Sequence, residues 1–201
     1  EGNGNGATAG LGHTRWATHG RVTPANAHPH ASADGSVLVV MNGIIENYMD
    51  LRSEMQNAGV VFASDTDTEV VPQLIARAYD GDLAAAVRAV LPRLGGHFAF
   101  VAAHVAEPGT LVAARRECPL VIGVGDGERF VASAIPAFLR ETRDVVLIED
   151  DEVVALEAEG HAIWQGEARQ PTRAPSRVDW DEDAAEKGGY ESFMLKEIHE
   201  Q

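Results

Sequence analysis

The chain has 201 residues, 45% of them hydrophobic, which is enough for one domain with a substantial core. Its 16 Lys and Arg against 31 Asp and Glu give a net charge of −15, which disfavours nucleic acids and anionic membranes as partners because both bind basic surfaces. A single cysteine excludes an internal disulfide framework, and no apolar stretch approaches the ~20 residues of a membrane span, so we expect a cytoplasmic protein.

Helical patterns dominate the first half of the sequence. A short apolar run over 36–41 predicts a buried strand that ends at Asn42-Gly43. Asn47 is a candidate helix cap, and Gly59 a candidate stop for the same helix. The remaining predicted elements of this half are a short strand over 60–63 and helices over 70–78 and 82–94.

From residue 95 the period changes to that of β-strands. Seven short apolar runs follow one another, separated by turn sequences such as AEPGT, GDGE and EDDE. A short helix over 133–139 is predicted to interrupt them, and residues 165–176 have the composition of a crossing linker. Helices early and strands late predict an α+β domain with a mostly antiparallel sheet.

The segment HTRWATHG at 13–20 is the first candidate binding motif. A guanidinium such as that of Arg15 binds a carboxylate through two parallel hydrogen bonds, although a surface ion pair is the commoner use of an arginine. Trp16 is interpreted as a core residue.

Asn42-Gly43, after the predicted strand, is the second candidate. Such a pair is most often a turn. In a catalytic site it would form an oxyanion hole, because glycine permits close approach of the main chain and the asparagine amide donates hydrogen bonds.

The polar segment 64–69, SDTDTE, is the third candidate. Thr66 followed by Glu69 fits a capping box before a helix. A carboxylate of this segment would equally hold the ammonium group of a ligand, and the spacing leaves both interpretations open.

Histidines are dense near the beginning of the chain, at His13, His19, His28 and His30. A zinc site is the less favoured interpretation, because no cysteine lies nearby and a proline separates the last two; hydrogen-bonded structural histidines are favoured. Cys118 has no candidate base beside it in sequence and is interpreted as a small buried hydrophobic residue.

Seven motifs, taken together and in order, carry a resemblance that covers about residues 10–201. They are GHTRWATHG, NAHPH, NGIIENYMDLR, SDTDTEVV, PLVIG, DWDEDAAEKGGY and FMLKEIHEQ. This ordered set resembles the class II glutamine amidotransferases, and among them the glutaminase domains of the glutamine–fructose-6-phosphate aminotransferases, or glucosamine-6-phosphate synthases. The IIENY and FMLKEIHEQ segments fit these enzymes better than amidophosphoribosyltransferases or asparagine synthetases.

The resemblance implies an N-terminal-nucleophile hydrolase fold, a four-layer αββα sandwich of two mostly antiparallel sheets. It implies ammonia release from L-glutamine by a thiol at the mature N-terminus, without a metal or another cofactor. By this resemblance, Arg15 binds the α-carboxylate of glutamine, with Thr18 and His19 beside it, and Asp67 binds the α-ammonium, with Gly43 near the same end. The Asn42 side chain and the Gly43 N–H stabilise the oxyanion. Trp16 lies near the ammonia exit.

Two departures from this family stand out. Met41 replaces a histidine that usually precedes Asn-Gly, which removes no donor. The family's mature chain opens with the nucleophilic cysteine, followed by a strand, a helix and another strand, whereas this sequence opens with Glu1. We therefore expect residues 1–201 alone to lack the nucleophile and to be inactive, because Cys118 has no free α-amine to serve as its base.

The expected organisation is an N-terminally incomplete glutaminase domain over 1–177 and a connector over 178–201. The connector would lead to a sugar isomerase domain that binds fructose 6-phosphate and forms most of a homodimer contact. Two alternatives are a catalytically silent glutamine-binding module and the glutaminase domain of another amidotransferase, such as amidophosphoribosyltransferase.

Overall fold

Two antiparallel sheets organise the part of the chain that this computed structural model describes, residues 8–15 and 20–179. The helices of this part are α1 (Tyr48–Asn57), α2 (Val70–Ala78) and α3 (Leu83–Val90). Its strands are β1 (His30–Ala31), β2 (Val37–Ile45), β3 (Gly96–His104), β4 (Leu111–Arg116), β5 (Val121–Val124), β6 (Arg129–Ala132), β7 (Asp144–Leu147), β8 (Glu152–Glu157), β9 (Gly160–Gln165), β10 (Ala168–Arg169) and β11 (Ser176–Arg177). The predicted α+β class is confirmed.

The larger sheet has seven strands in the order β1-β2-β3-β4-β8-β9-β10, and the smaller has four in the order β11-β7-β5-β6. Strands β2 and β3 form the longest pairing, from Val37 opposite His104 to Ile45 opposite Gly96. This pairing positions the candidate site, because Asn42 and Gly43 both lie within it.

Side-chain alternation along β2 divides the core into two layers. Val37, Val39 and Met41 pack with the three helices on one face of the larger sheet. Val40 points the other way, into a second apolar cluster formed between the two sheets. The described residues therefore form a helical layer on a sandwich of two sheets, which are three of the four layers that the resemblance implies.

The outer face of the smaller sheet carries a third, smaller apolar cluster around Val121, Phe138 and Val145. The predicted helix over 133–139 is here a single 3₁₀ turn, Ile135–Ala137. Its prediction as a longer helix is wrong. Pro136 is inside this turn, and the residue that precedes the turn, Ala134, has an extended backbone.

The segment between β10 and β11 crosses from the larger sheet to the smaller one, within the predicted linker. Arg173 fixes this crossing by an ion pair with Glu152, whose side chain is fully buried. The Glu149 backbone N–H also donates to that carboxylate, at 2.8 Å. A buried carboxylate is tolerated here because it is both paired and hydrogen-bonded.

Several local predictions in the first half are wrong. The first strand continues to Ile45, so Asn42-Gly43 lies inside a strand and not in a turn. The chain over 60–63 forms no strand, because the Ala63 N–H donates to the Glu69 carboxylate.

The third concerns Asn47, which precedes α1 but makes no side-chain capping bond. Its amide instead donates to the Arg93 carbonyl and accepts from the Gly95 N–H, both at 2.9 Å. The predicted third helix also ends early, at Val90, and a 3₁₀ turn over Leu91–Arg93 leads into this contact. Among the described residues no helix combines the length and the apolar character required to cross a bilayer.

Candidate functional site

Strand β2 supplies the platform of the candidate site at Asn42 and Gly43. Asn42 is exposed, while Gly43 has φ +94°. A Cβ atom on Gly43 would lie 2.1 Å from the His97 carbonyl oxygen and 2.8 Å from the Phe98 Cα. Glycine is thus required at this position by the close approach of β3, which is a reason that the sequence alone does not reveal.

A chain of hydrogen bonds joins Asn42 to Arg15. The His13 Nε2 atom lies 2.8 Å from Asn42 Oδ1. The Arg15 backbone N–H donates to the other ring nitrogen, Nδ1, at 2.9 Å. Residues that are far apart in sequence are therefore neighbours through one imidazole ring.

Arg15 itself has a positive φ of +35°, an uncommon conformation for a residue with a side chain. Its guanidinium donates to the carbonyls of Arg21 and Gly20, at 3.2 and 3.4 Å. These bonds hold the guanidinium against the loop that begins at residue 20. Strained residues of this kind persist where surrounding contacts fix them, and they concentrate at functional sites.

Asn26 connects this loop to the polar segment 64–69. It is 2% exposed; its amide donates to the Arg21 carbonyl at 3.0 Å and accepts from the Asp65 N–H at 3.0 Å. The loop that holds the Arg15 guanidinium is thus fastened to the segment that contains Asp67.

Asp67 is also attached to β2. It is 3% exposed, and its Oδ2 atom accepts from the Ile45 N–H at 2.8 Å. Ile45 is two residues beyond Gly43 on the same strand, so the carboxylate lies beside the platform.

The capping-box prediction for this segment is wrong. The Glu69 carboxylate accepts from the backbone N–H groups of Ala63 and Ser64 and from the Ser64 hydroxyl, not from Thr66. Thr66 instead contacts His30, with 3.0 Å between Oγ1 and Nε2. Glu69 therefore stabilises the turn that precedes α2, and α2 begins without a side-chain cap.

Three histidine rings pack in a row beside these residues. The ring centroids of His13 and His28 are 4.1 Å apart, and those of His28 and His30 are 4.8 Å apart. The His28 Nε2 atom lies 3.4 Å from the Thr68 hydroxyl. In the described ranges no group of three or more His, Cys, Asp or Glu side chains is arranged to hold a metal ion.

Burial keeps the inner rings neutral. It lowers the pKa of His28 to about 3, and the neighbouring His13, His30 and Arg15 act in the same direction. Burial also lowers the pKa of His30; Arg15 adds to this effect, while the carboxylates of Glu69 and Asp67 oppose it. Arg15 and Asp67 thus act with opposite sign on the pKa of the same imidazole.

A cavity of about 500 Å³ opens between the two sheets, beside Asn42 and His13. Its remaining wall is largely apolar, with Val101 and Phe130 among the lining residues. Cys118 does not line it but packs against the apolar cluster between the sheets. Burial raises the pKa of the Cys118 thiol, which disfavours the nucleophilic thiolate.

Asn42 and Gly43 lie on β2, Asp67 is bonded to it, and the Arg15 backbone is joined to it through His13. Trp16, Thr18 and His19 lie outside the described residues. Sequence reasoning missed Asn26, because nothing near it in the chain signals its bonds to residues 21 and 65. It treated His13 as a neighbour of Arg15 and as one of the clustered histidines, but did not find its bond to Asn42, which is distant in sequence.

Met41, which departs from the resembled family, is 3% exposed and packs with the helices. By the alternation of the strand, the Asn42 side chain lies on the other face of the sheet, the face on which Val40 packs. The substitution is thus accommodated in the helical core, on the opposite face of the sheet from the amide.

Comparison with known proteins gives a consistent result. A family described as glutamine amidotransferase domain matches residues 13–140. Glutamine–fructose-6-phosphate aminotransferase (isomerizing) of Mycolicibacterium smegmatis is 54% identical over 211 residues, covering 100% of this chain and 34% of that protein. The enzyme of the same name from Mycolicibacterium paratuberculosis is 56% identical over 203 residues, covering 96% and 32%.

Among solved structures, the glutamine phosphoribosylpyrophosphate amidotransferase of B. subtilis is similar in fold. It has a TM-score of 0.63 and 25% identity, over 76% of this chain and 34% of that one. The chain spans about a third of the length of the curated relatives that it matches.

Proposed function

This chain belongs to the glutamine amidotransferase domain family, and from that premise we propose that it releases ammonia from L-glutamine as the glutaminase part of a glutamine–fructose-6-phosphate aminotransferase. The complete reaction would convert L-glutamine and fructose 6-phosphate to L-glutamate and glucosamine 6-phosphate, the first step of amino-sugar synthesis. Residues 1–177 would form the glutaminase domain. Residues 178–201 would connect it to a sugar isomerase domain that binds fructose 6-phosphate and forms the homodimer contact.

One observation carries the proposal: a residue with a cationic side chain and a residue with an anionic side chain are both attached to the strand that bears the amide donors. The Arg15 backbone reaches Asn42 through His13, and the Asp67 carboxylate bonds to Ile45 on the same strand. An amino acid carries a carboxylate and an ammonium on one carbon. A guanidinium for the first and a carboxylate for the second would orient its side-chain amide toward the neighbouring donors.

The chemistry requires a thiol and an oxyanion site. The thiolate attacks the side-chain carbonyl carbon of glutamine, and the carbonyl oxygen becomes an anion that the Asn42 amide and the Gly43 N–H would stabilise. Protonation of the leaving nitrogen releases ammonia and leaves a thioester, which water hydrolyses to glutamate and the free thiol. In the resembled family the thiol is that of the N-terminal cysteine, whose α-amine, with a pKa of about 7.7–8.0, serves as base.

Cys118 is unsuited to this role, because it packs against the apolar cluster between the sheets and burial raises its pKa. That residues 1–201 alone are inactive stays a prediction, and it can be measured directly. Glutamate release by this segment should be absent, and it should appear in the full-length protein with an N-terminal cysteine.

Arg15→Lys and Asp67→Asn in that full-length protein test the ligand assignment. Lysine keeps the charge of Arg15 but loses the two-bond geometry, and asparagine removes the charge of Asp67; hydrogen bonds to charged groups are worth about 1.5–3 kcal/mol, so the KM for glutamine should rise by about 10- to 100-fold. Arg77→Lys and Asp80→Asn are matched controls, because both residues are exposed. Glutamate release measures the first half-reaction, and glucosamine 6-phosphate formation measures the second.

Each outcome discriminates among the proposals. An unchanged KM in both site variants would contradict the assignment of Arg15 and Asp67. Glutamine binding without turnover in the full-length protein would favour the silent binding module. Ammonia transfer to an acceptor other than fructose 6-phosphate would identify the glutaminase of a different amidotransferase.

A further inference from the structure

We propose that His13 is a positioning residue that permits only one of the two orientations of the Asn42 amide, the one in which Nδ2 is available to an oxyanion. The inference rests on the proposed function, since it assumes that Asn42 is an oxyanion donor. It is carried by two hydrogen bonds made by opposite nitrogens of one ring.

The first bond decides where the ring carries its proton. A backbone N–H only donates, so the Arg15 N–H at 2.9 Å requires an unprotonated Nδ1 on His13. The neutral imidazole then carries its proton on Nε2. Protonation of both nitrogens would place an N–H against the Arg15 N–H and break this contact.

The second bond transfers this choice to the amide. Nε2–H needs an acceptor, and the atom at 2.8 Å is Asn42 Oδ1. With the amide rotated by half a turn, the Nδ2 donors would face the Nε2 donor, which is repulsive. In the bonded orientation Oδ1 is committed to His13, and Nδ2 is the end of the amide that remains available to a ligand.

The surroundings hold the ring in this role. His13 packs on His28 at 4.1 Å between ring centroids, and His28 packs on His30, which contacts Thr66. Because burial keeps His28 neutral, His13 packs on an uncharged ring. The Arg15 N–H donates to this ring, so the residue proposed to bind the carboxylate also sets the tautomer that orients the amide.

Two substitutions separate the two bonds. His13→Gln keeps a donor near the position of Nε2, whereas His13→Asn keeps an acceptor near that of Nδ1 but does not reach Asn42. In the full-length protein with its N-terminal cysteine, we expect His13→Asn to lower kcat for glutamate release by about 3- to 10-fold with little change in KM, the effect of losing one neutral hydrogen bond. His13→Gln should recover most of this loss.

A double-mutant cycle with Asn42→Ala makes the test specific. That change alone should lower kcat by about 100- to 1,000-fold, as for loss of an oxyanion donor. If His13 acts through Asn42, adding His13→Asn should lower kcat no further. His161→Asn is the matched control, because His161 lies on β9, which β3, β4 and β8 separate from β2 in the larger sheet.

The possible failures are distinguishable. If Asn42→Ala leaves kcat unchanged, the proposed oxyanion site is wrong. If Asn42→Ala is damaging while His13→Asn leaves kcat unchanged, or adds its full effect in the double variant, only the positioning role is overturned. Melting temperatures of all variants identify any loss of kcat that follows from unfolding. If such a loss occurs, kcat of His13→Gln and His13→Asn is compared at a temperature at which both are folded, and a higher kcat for His13→Gln supports the positioning role.

Discussion

Replacing Gly43 by alanine isolates the closest backbone approach in the candidate site. The new Cβ would meet the His97 carbonyl at 2.1 Å, whereas ordinary contacts begin at 3.4 Å, so β2 and β3 would have to separate by more than an ångström. The residue also has φ +94°, which costs a side-chain-bearing residue about 1–2 kcal/mol. Overpacking typically adds about 1–3 kcal/mol. The free energy of unfolding should therefore fall by about 2–5 kcal/mol.

Two other glycines separate the cost of the backbone conformation from the cost of the contact with β3. Gly35 has φ +72° and no atom within 4 Å of the place that a Cβ would occupy, so Gly35→Ala reports the cost of the conformation alone, about 1–2 kcal/mol. Gly160 has neither a positive φ nor a close neighbour, so Gly160→Ala should be nearly neutral. The difference between Gly43→Ala and Gly35→Ala measures the contact with β3.

Urea and thermal denaturation measure these effects. For a domain of this size about 2–4 °C of melting temperature corresponds to 1 kcal/mol, so Gly43→Ala should lower it by about 4–20 °C. Glutamate release by the full-length protein should also fall, because the Gly43 N–H moves with the strand. A Gly43→Ala variant no less stable than Gly35→Ala would refute the argument that β3 dictates this glycine.

Two further predictions concern buried charge. The pKa of His28 is about 3 in the folded protein and 6.5 when unperturbed, so between these pH values only the unfolded chain binds the proton. The free energy of unfolding should therefore fall as the pH drops below about 6.5. In His28→Gln the urea midpoint should change less between pH 7 and pH 5. Arg173→Gln should destabilise by about 3 kcal/mol, because it leaves the Glu152 carboxylate buried without its cation; adding Glu152→Gln should restore part of that loss.

The chain offers a control for each of these two predictions. His30 also has a lowered pKa, so the pH dependence should be reduced in His28→Gln, not abolished; an unchanged dependence would argue against a neutral buried His28. For the ion pair, Arg177→Gln is the control, since the Arg177–Asp144 pair is exposed and should contribute less than about 1 kcal/mol. Equal losses from Arg173→Gln and Arg177→Gln would contradict the role given to burial.

Patterns with a period were predictable from the sequence. Helix α2 was predicted over the range in which it occurs, because its apolar residues repeat at helical spacing and become buried. The late strands were predicted for a similar reason, since apolar runs alternate with turn residues. These signals are local, and the two-layer core follows from them.

Polar side chains with distant partners were not predictable in this way. Asn47 looks like a cap, but its amide bonds to residues 93 and 95, and Glu69 fits a capping box but bonds to residues 63 and 64. The resemblance supplied the identities of Arg15, Asn42 and Asp67. Their attachment to one strand depends on contacts across 22 to 29 residues that no spacing rule encodes.

The alternation of β2 couples the helical core to the position of the amide. Met41 packs against the helices on one side of the sheet, while the Asn42 side chain lies on the other side, beside the cavity. Repacking around Met41 therefore displaces the Asn42 amide through a single peptide unit. Displacements near 1 Å in a catalytic group cost up to about a hundredfold in rate. Genetic screens for poor glutamine use should therefore recover conservative core replacements in α1 and α2, far from any ligand atom, alongside changes in the site itself.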